Sequence, residues 1–229
     1  MNFTNRDVIV TGGTGGLGTA VVAALLDAGA RCIVPHSRRG SADTWPLRDR
    51  VTLVPDCDLT READVTQLYD AAPQLWASIH LAGGFDMAPI DDTDRTALQR
   101  MLDVNLITCF LCCRHAVLRF GDAGGRIVNV AARPALEPRQ GAGMTAYVAS
   151  KAAVAALTQA LGAELASRKV LVNAVAPSII DTAATRSAMP DASHAAWPTP
   201  AEIARTIVFL ASPDNLVTSS AVVPVYGRA

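Results

Sequence analysis

Thr11-Gly12-Gly13-Thr14-Gly15-Gly16-Leu17-Gly18 follows the apolar run Val8-Ile9-Val10 and leads into a helical pattern that begins near residue 17. Glycines let the backbone turn sharply and come close to a bound group. The helix that follows offers unpaired N–H groups and the positive end of its dipole. A glycine-rich turn placed between a strand and a helix, this near the N-terminus, reads as a dinucleotide pyrophosphate site. Working outward from it, short apolar runs alternate with helical stretches. The runs are Val8 to Val10, Cys32 to Val34, Val51 to Val54, Ile79 to Leu81, Ile127 to Val130, Val170 to Val175 and Val222 to Val225. They are continuous rather than alternating, as parallel strands covered on both faces should be. Helices are expected near 17–28, 61–71, 95–120, 146–167 and 200–211. The pattern predicts an α/β fold, a doubly wound parallel sheet of Rossmann type, with residues 1–229 forming a single domain.

The bulk composition narrows the function classes. Half of the 229 residues are hydrophobic, 18% are charged and the formal net charge is −1. Nucleic-acid or membrane-surface binding would ask for a basic excess that is not there. No uninterrupted run of eighteen apolar residues occurs and the N-terminal stretch lacks a signal peptide's apolar core, so a cytoplasmic location is expected. Five cysteines are present, three of them in Cys109-Phe110-Leu111-Cys112-Cys113-Arg114-His115. Inside an apolar helical stretch they read as buried reduced thiols rather than as a metal site with His115. The helices near 98–120 and 146–167 are apolar almost all round. The sheet can cover one side of them, and a second subunit in a homodimer or homotetramer is the expected cover for the other. Thr199-Pro200-Ala201-Glu202 has the signature of a capping box with proline at the first helical position.

After the second strand the chain reads Pro35-His36-Ser37-Arg38-Arg39, with no acidic residue to accept bonds from a ribose 2′-hydroxyl. A hydroxyl and two guanidinium groups suit a 2′-phosphate, so NADP(H) is favoured over NAD(H). The alternative is a solvated arginine pair. Asp58, with Leu59 beside it, could meet the adenine or cap the helix that starts near Thr60.

Tyr147 and Lys151 stand four residues apart in Tyr147-Val148-Ala149-Ser150-Lys151, so both side chains leave one face of a helix. A neighbouring ammonium stabilises phenolate and is expected to lower the tyrosine pKa, fitting it for general acid–base work.

These pieces together resemble the short-chain dehydrogenase/reductase family over nearly the whole chain. The matching elements are Thr11 to Gly18, Ala82-Gly83 after the fourth strand, Asn105 in Asp103-Val104-Asn105-Leu106, Tyr147 with Lys151, and the segment around Pro177. The resemblance implies hydride transfer between a nicotinamide and a substrate. It makes Tyr147 the proton donor, Lys151 the holder of the nicotinamide ribose, Asn105 the organiser of a water relay, and Ile180 and Thr182 contacts of the carboxamide. Three positions depart from the family pattern. Leu81 replaces an asparagine, Ser178 a glycine, and Ala132 the serine that orients a substrate carbonyl. By analogy with an oxyanion donor, that serine's loss costs roughly 3 kcal/mol where the reaction needs it. Thr145 and Arg133 are alternative donors, and Thr145 could instead cap its helix.

Within the family, dihydropteridine reductases also lack this serine. They resemble the present chain in the short second crossover, in Ala82-Gly83-Gly84-Phe85, in Gly143 to Tyr147 and in Asp181 to Ile203. They differ in carrying an acidic residue after the second strand and in lacking the counterpart of Asn105. The expected function is therefore NADPH-dependent reduction of a small carbonyl or a conjugated imine or quinonoid acceptor. A quinonoid reductase is the alternative enzyme, and a non-catalytic NADP-sensing regulator the alternative of another class. Residues 183–197 are expected to form a substrate lid. Met189, His194 and Trp197, with Phe85 and Met87, are the candidate ligand contacts, although Trp197 could equally staple the lid to the next helix.

Overall fold

A computed structural model describes residues 1–37 and 42–228. Seven parallel strands form one sheet in the order β3-β2-β1-β4-β5-β6-β7. They are β1 (Asp7–Thr11), β2 (Arg31–Pro35), β3 (Thr52–Val54), β4 (Leu75–His80), β5 (Gly125–Val130), β6 (Val170–Pro177) and β7 (Val222–Val225). The helices are α1 (Gly16–Asp27), α2 (Glu62–Asp70), α3 (Arg95–Leu102), α4 (Thr108–Arg119), α5 (Arg133–Leu136), α6 (Thr145–Glu164), α7 (Ala183–Ala188) and α8 (Pro200–Ala211).

The apolar runs serve both faces of the sheet, as their lack of alternation requires. Val8, Val10, Cys32, Val34, Ile79 and Val128 pack with Val21, Val22 and Leu25 of α1 and Ile203, Ile207 and Val208 of α8. Their immediate neighbours Ile9, Ile33 and Ile127 point the other way, against Val65 and Leu68 of α2, Cys109 and Cys113 of α4 and Val154 of α6. Successive residues on a strand alternate faces, so two covered faces demand an unbroken apolar run. The strand order reverses between β1 and β4, and ligands of open α/β sheets bind outside the strand carboxyl ends at such a switch point.

Three local features depart from the sequence expectation. β4 begins at Leu75, four residues before the apolar run Ile79 to Leu81, and ends at His80, although Leu81 N still donates to Thr11 O at 3.1 Å. The long helix of residues 95–119 is interrupted by one turn of π-helix, Asp103–Ile107, that joins α3 to α4. That same helix is the one among the described residues long and apolar enough to cross a membrane by composition, yet Cys109, Cys112, Cys113 and Ala116 bury one side of it in the core. The capping box is present as read: Thr199 Oγ1 accepts from Glu202 N at 3.2 Å, and Glu202 Oε2 accepts from Thr199 N at 2.8 Å.

Candidate active site

The carboxyl ends of β1, β2, β4, β5 and β6 converge on one crevice. At β1 the glycine turn is forced by space. Gly12 has φ +67, and a Cβ on it would lie 2.7 Å from Ala82 N; a Cβ on Gly18 would lie 2.1 Å from Gly12 O. The turn thus nests against the first residues after β4, where Ala82 N donates to Thr11 Oγ1 at 3.3 Å. Helix α1 opens at Gly15 with no side-chain cap and no acidic residue in its first turn. Its N-terminal amides and dipole remain directed at an anion. A cleft of about 560 Å³ lies beside it, lined by Thr14, Gly15, Gly16, Thr19, His36, Ser37, Ala42, Thr44, Trp45 and Pro46. A chain whose backbone leaves this cradle without Cβ atoms fits a dinucleotide diphosphate. The structure also brings Thr182 to the turn, its methyl 3.1 Å from the place a Cβ on Gly16 would take. Pro177 ends β6, and Ile180 packs on the core next to it.

Arg38 and Arg39 lie outside the described residues. Asp58 Oδ1 accepts from Thr60 N at 3.0 Å and from Thr60 Oγ1 at 2.7 Å, which closes a turn. Helix α2 starts beyond it, with Arg61 at its cap position and no side-chain capping bond. Asp58 therefore does not cap that helix.

Asn105 sits in the π-turn, a form frequent at functional sites because the extra residue re-aims a side chain. It is buried. Its Oδ1 accepts from Gly84 N at 2.9 Å, and its Nδ2 donates to Gly84 O at 3.0 Å and to Ser150 Oγ at 3.0 Å. Ser150 in turn donates to Tyr147 O at 2.7 Å. Asn105 thus ties the loop after β4 to the helix that carries Tyr147. Ser150 was missed in the sequence, although it stands inside the Tyr147–Lys151 segment; Trp45, whose Nε1 donates to Thr19 Oγ1 at 3.0 Å in the nucleotide cleft, was missed too.

Lys151 is buried, and its Nζ donates to Val130 O at 2.9 Å. Burial lowers its pKa from the ordinary 10.5 to about 8. The folded chain therefore binds fewer protons than the unfolded one between those values. Stability is expected to rise with pH through that window. From pH 7.5 to 9.5 the parent should gain about 2 kcal/mol over Lys151→Met in urea unfolding. Parallel pH slopes for the two chains would contradict this.

Tyr147 corrects the sequence expectation. Burial pushes its phenol up to about 12, where the Lys151 ammonium was expected to bring it down. The hydroxyl is consequently held protonated across the neutral range. Phe85 meets the Tyr147 ring edge-on at 5.0 Å between centroids and is otherwise 62% exposed, forming an open aromatic wall. Met87 approaches Gly143 on the same side.

Where the family carries a serine, Ala132 presents a buried methyl group. Arg133 is turned away from the role of substitute donor. Its Nε donates to Glu137 Oε2 at 3.0 Å and its guanidinium stacks 4.7 Å from the centre of the Tyr226 ring. Thr145, at the first position of α6, makes no side-chain cap, against that alternative reading, and its residue is exposed.

Thr182 opens α7 with a capping box, accepting from Thr185 N at 3.2 Å. Met189 O is 2.9 Å from His194 Nε2, and the His194 and Trp197 rings lie 4.6 Å apart with Trp197 buried. These three residues are thus packed on one another.

Comparison with known proteins agrees with this geometry. The family described as short chain dehydrogenase matches residues 6–193. The cis-4-hydroxycyclohexanecarboxylate dehydrogenase of Sinomonas cyclohexanicum is 32% identical, over 98% of this chain and 96% of its own length. A 3-alpha-(or 20-beta)-hydroxysteroid dehydrogenase of Mycobacterium bovis is 31% identical, over 93% and 85%. Among solved structures, a short-chain type dehydrogenase/reductase from Mycobacterium ulcerans superposes with a TM-score of 0.91 at 25% identity, covering 100% of this chain and 90% of that one. The crevice at the strand switch point, the glycine cradle and the Asn105, Tyr147 and Lys151 arrangement therefore belong to an oxidoreductase, and the chain is a member of the short-chain dehydrogenase/reductase family.

Proposed function

We propose that the chain is an NADP(H)-dependent reductase of small cyclic or conjugated carbonyl acceptors, with Tyr147 as proton donor. The observation that carries this reading is the placement of the Tyr147 phenol one helical turn from buried Lys151, with the exposed Phe85 ring packed against it. The two curated relatives are named for hydroxyls borne on rings, a cyclohexane and a steroid. A flat wall such as Phe85 suits the same class of substrate.

A nicotinamide nucleotide bound in this crevice would supply the hydride. The glycine turn from Gly12 to Gly18 would hold its diphosphate, Ile180 and Thr182 its carboxamide, and Lys151 its nicotinamide ribose. Serine and arginine side chains at Ser37, Arg38 and Arg39 would receive a 2′-phosphate. Tyr147 then delivers its proton to the acceptor oxygen or nitrogen, and Asn105 and Ser150 keep the helix carrying it in register. Met189, His194 and Trp197 would shape the lid that excludes water. Leu98, Ile107, Phe110 and Leu118 are exposed along the 95–119 helix, which supports self-association through that helix and α6.

Ala132 favours a second reading, in which the acceptor is a quinonoid or conjugated imine already polarised enough to need no serine. Initial rates with NADPH and NADH on a cyclic-ketone panel and on a quinonoid dihydropterin separate the two. Under the main reading ketones turn over, and Ala132→Ser raises their kcat/KM by about tenfold or more, within the span of one oxyanion donor. Turnover confined to the dihydropterin supports the second reading. Arg38→Asp is expected to weaken NADPH far more than NADH; equal parent affinities for the two would sink the cofactor assignment.

A further inference from the structure

A second cluster of chemistry-bearing groups lies beneath the active site, between β4 and α4. His80, Cys109 and Cys113 are all buried, and one ligand atom from each lies within 4.8 Å of the other two. Cys109 and Cys113 are one turn apart, so their sulfurs leave the same face of the helix. His80, the last residue of β4, meets them there: its Nδ1 is 3.6 Å from Cys113 Sγ and 4.0 Å from Cys109 Sγ. In a tetrahedral thiolate–imidazole site, with metal–sulfur bonds near 2.3 Å and metal–nitrogen bonds near 2.0–2.1 Å, nitrogen and sulfur ligands lie about 3.5 Å apart. The present spacing is close to that before any adjustment.

The surroundings complete the pattern. His80 Nε2 lies 2.8 Å from Ser78 Oγ, which pairs with Tyr69 OH at 2.6 Å. Without a metal, Nδ1 carries the imidazole proton and donates it to Asn129 Oδ1 at 2.7 Å, because that oxygen can only accept; a bound cation would shift the proton to Nε2, which faces Ser78 Oγ. A metal-ligating histidine is held by its other nitrogen in this way. Asn129 Oδ1 accepts from Nδ1 at 2.7 Å and from Cys113 Sγ at 3.6 Å, and this neutral oxygen would become the fourth donor once a cation replaces those hydrogens. Asn129 is itself fixed, donating from Nδ2 to Thr158 Oγ1 at 2.9 Å.

We propose that His80, Cys109, Cys113 and Asn129 form a binding site for one thiophilic divalent cation of the zinc class. Two thiolates balance a dication, and the imidazole and amide are neutral, so the loaded cluster carries no net charge into a dry core. The incoming cation replaces the thiol protons, which leave to solvent as the two thiolates form; no group is oxidised or reduced. Because the cluster is sealed, the ion enters as the chain folds. It would fasten the helix that carries Asn105 to the strands that lead to Gly83 and Ala131.

The test uses the full chain without a histidine tag, produced in medium supplemented with zinc or cobalt(II) and purified under reducing conditions. The expected result is close to one ion per chain, with a near-ultraviolet sulfur-to-cobalt charge-transfer band in the cobalt form. Cys113→Ala should lose the ion and the band, whereas Cys112→Ala, which removes a buried thiol outside the cluster, should keep both. Parent protein without the band overturns the proposal, and that result stands even if Cys113→Ala fails to fold. Equal ion retention by parent and Cys113→Ala also overturns it.

Discussion

Tyr147→Phe is expected to lower kcat/KM for every acceptor by about two to four orders of magnitude, the range of a positioned general acid, while NADPH affinity changes only a few-fold. The substitution removes one oxygen and keeps the ring that packs on Phe85 at 5.0 Å. The Ser150 bond is made to the backbone carbonyl of Tyr147 rather than to its side chain, so the helix keeps its link to Asn105. With burial holding the phenol near 12, the parent donor is fully protonated at neutral pH. The variant's loss should therefore be nearly constant from pH 6 to 9. Steady-state kinetics alongside a fluorescence titration with NADPH checks both halves. A fall of less than about tenfold would place the proton donor elsewhere, with Thr145 the next residue to change.

Gly18→Ala should do comparable damage by a different route. Its new methyl would lie 2.1 Å from Gly12 O and 2.6 Å from Gly13 Cα. Both are backbone atoms, which cannot rotate aside as a side chain would. The turn must open, and the amides that face the diphosphate move with it. Overpacking of this kind costs about 1–3 kcal/mol, and nucleotide binding is expected to weaken by two orders of magnitude or more. Gly121→Ala is the control, since a Cβ there meets nothing within 4 Å and the residue lies outside the cradle. Calorimetric titration and thermal unfolding of the two variants decide the matter. An unchanged NADPH affinity in Gly18→Ala would mean that the cradle is not the binding site.

The parts of the molecule set by local chemistry were legible in the sequence. The glycine turn, the unbroken apolar runs and the Thr199–Glu202 capping box all appear where the residues place them, because each depends on neighbours within a few positions. The rest depends on partners far along the chain. β4 begins four residues early because Ser78 and His80, polar and seemingly unsuited to a buried strand, satisfy each other together with Tyr69 and Asn129. Hydropathy cannot register such a network. Arg133 reads as a free donor until Tyr226 is found stacked against it, 93 positions away by subtraction of the residue numbers. The Tyr147 pKa goes the other way because burial, set by the whole fold, raises it. The four-residue spacing does put Lys151 on its face, and Lys151 Nζ donates to Val130 O, contributed by a different element. The π-turn at Asn105 inserts one residue, about 100° of helix phase, into a stretch that is apolar almost all round, so there is no polar face to reveal the shift.

The most direct test of the central claim is isotope transfer from NADPH deuterated at the nicotinamide C4. The parent chain is incubated with a cyclic ketone and, separately, with a quinonoid dihydropterin. The predicted result is one deuterium on the carbinol carbon of the alcohol per NADPH consumed and, with the dihydropterin, whose new N–H hydrogens exchange with water, stoichiometric loss of label from the nicotinamide C4; both are lost in Tyr147→Phe. Tight NADPH binding with no label leaving the nicotinamide C4 for either acceptor class would contradict a catalytic role and favour a nucleotide sensor.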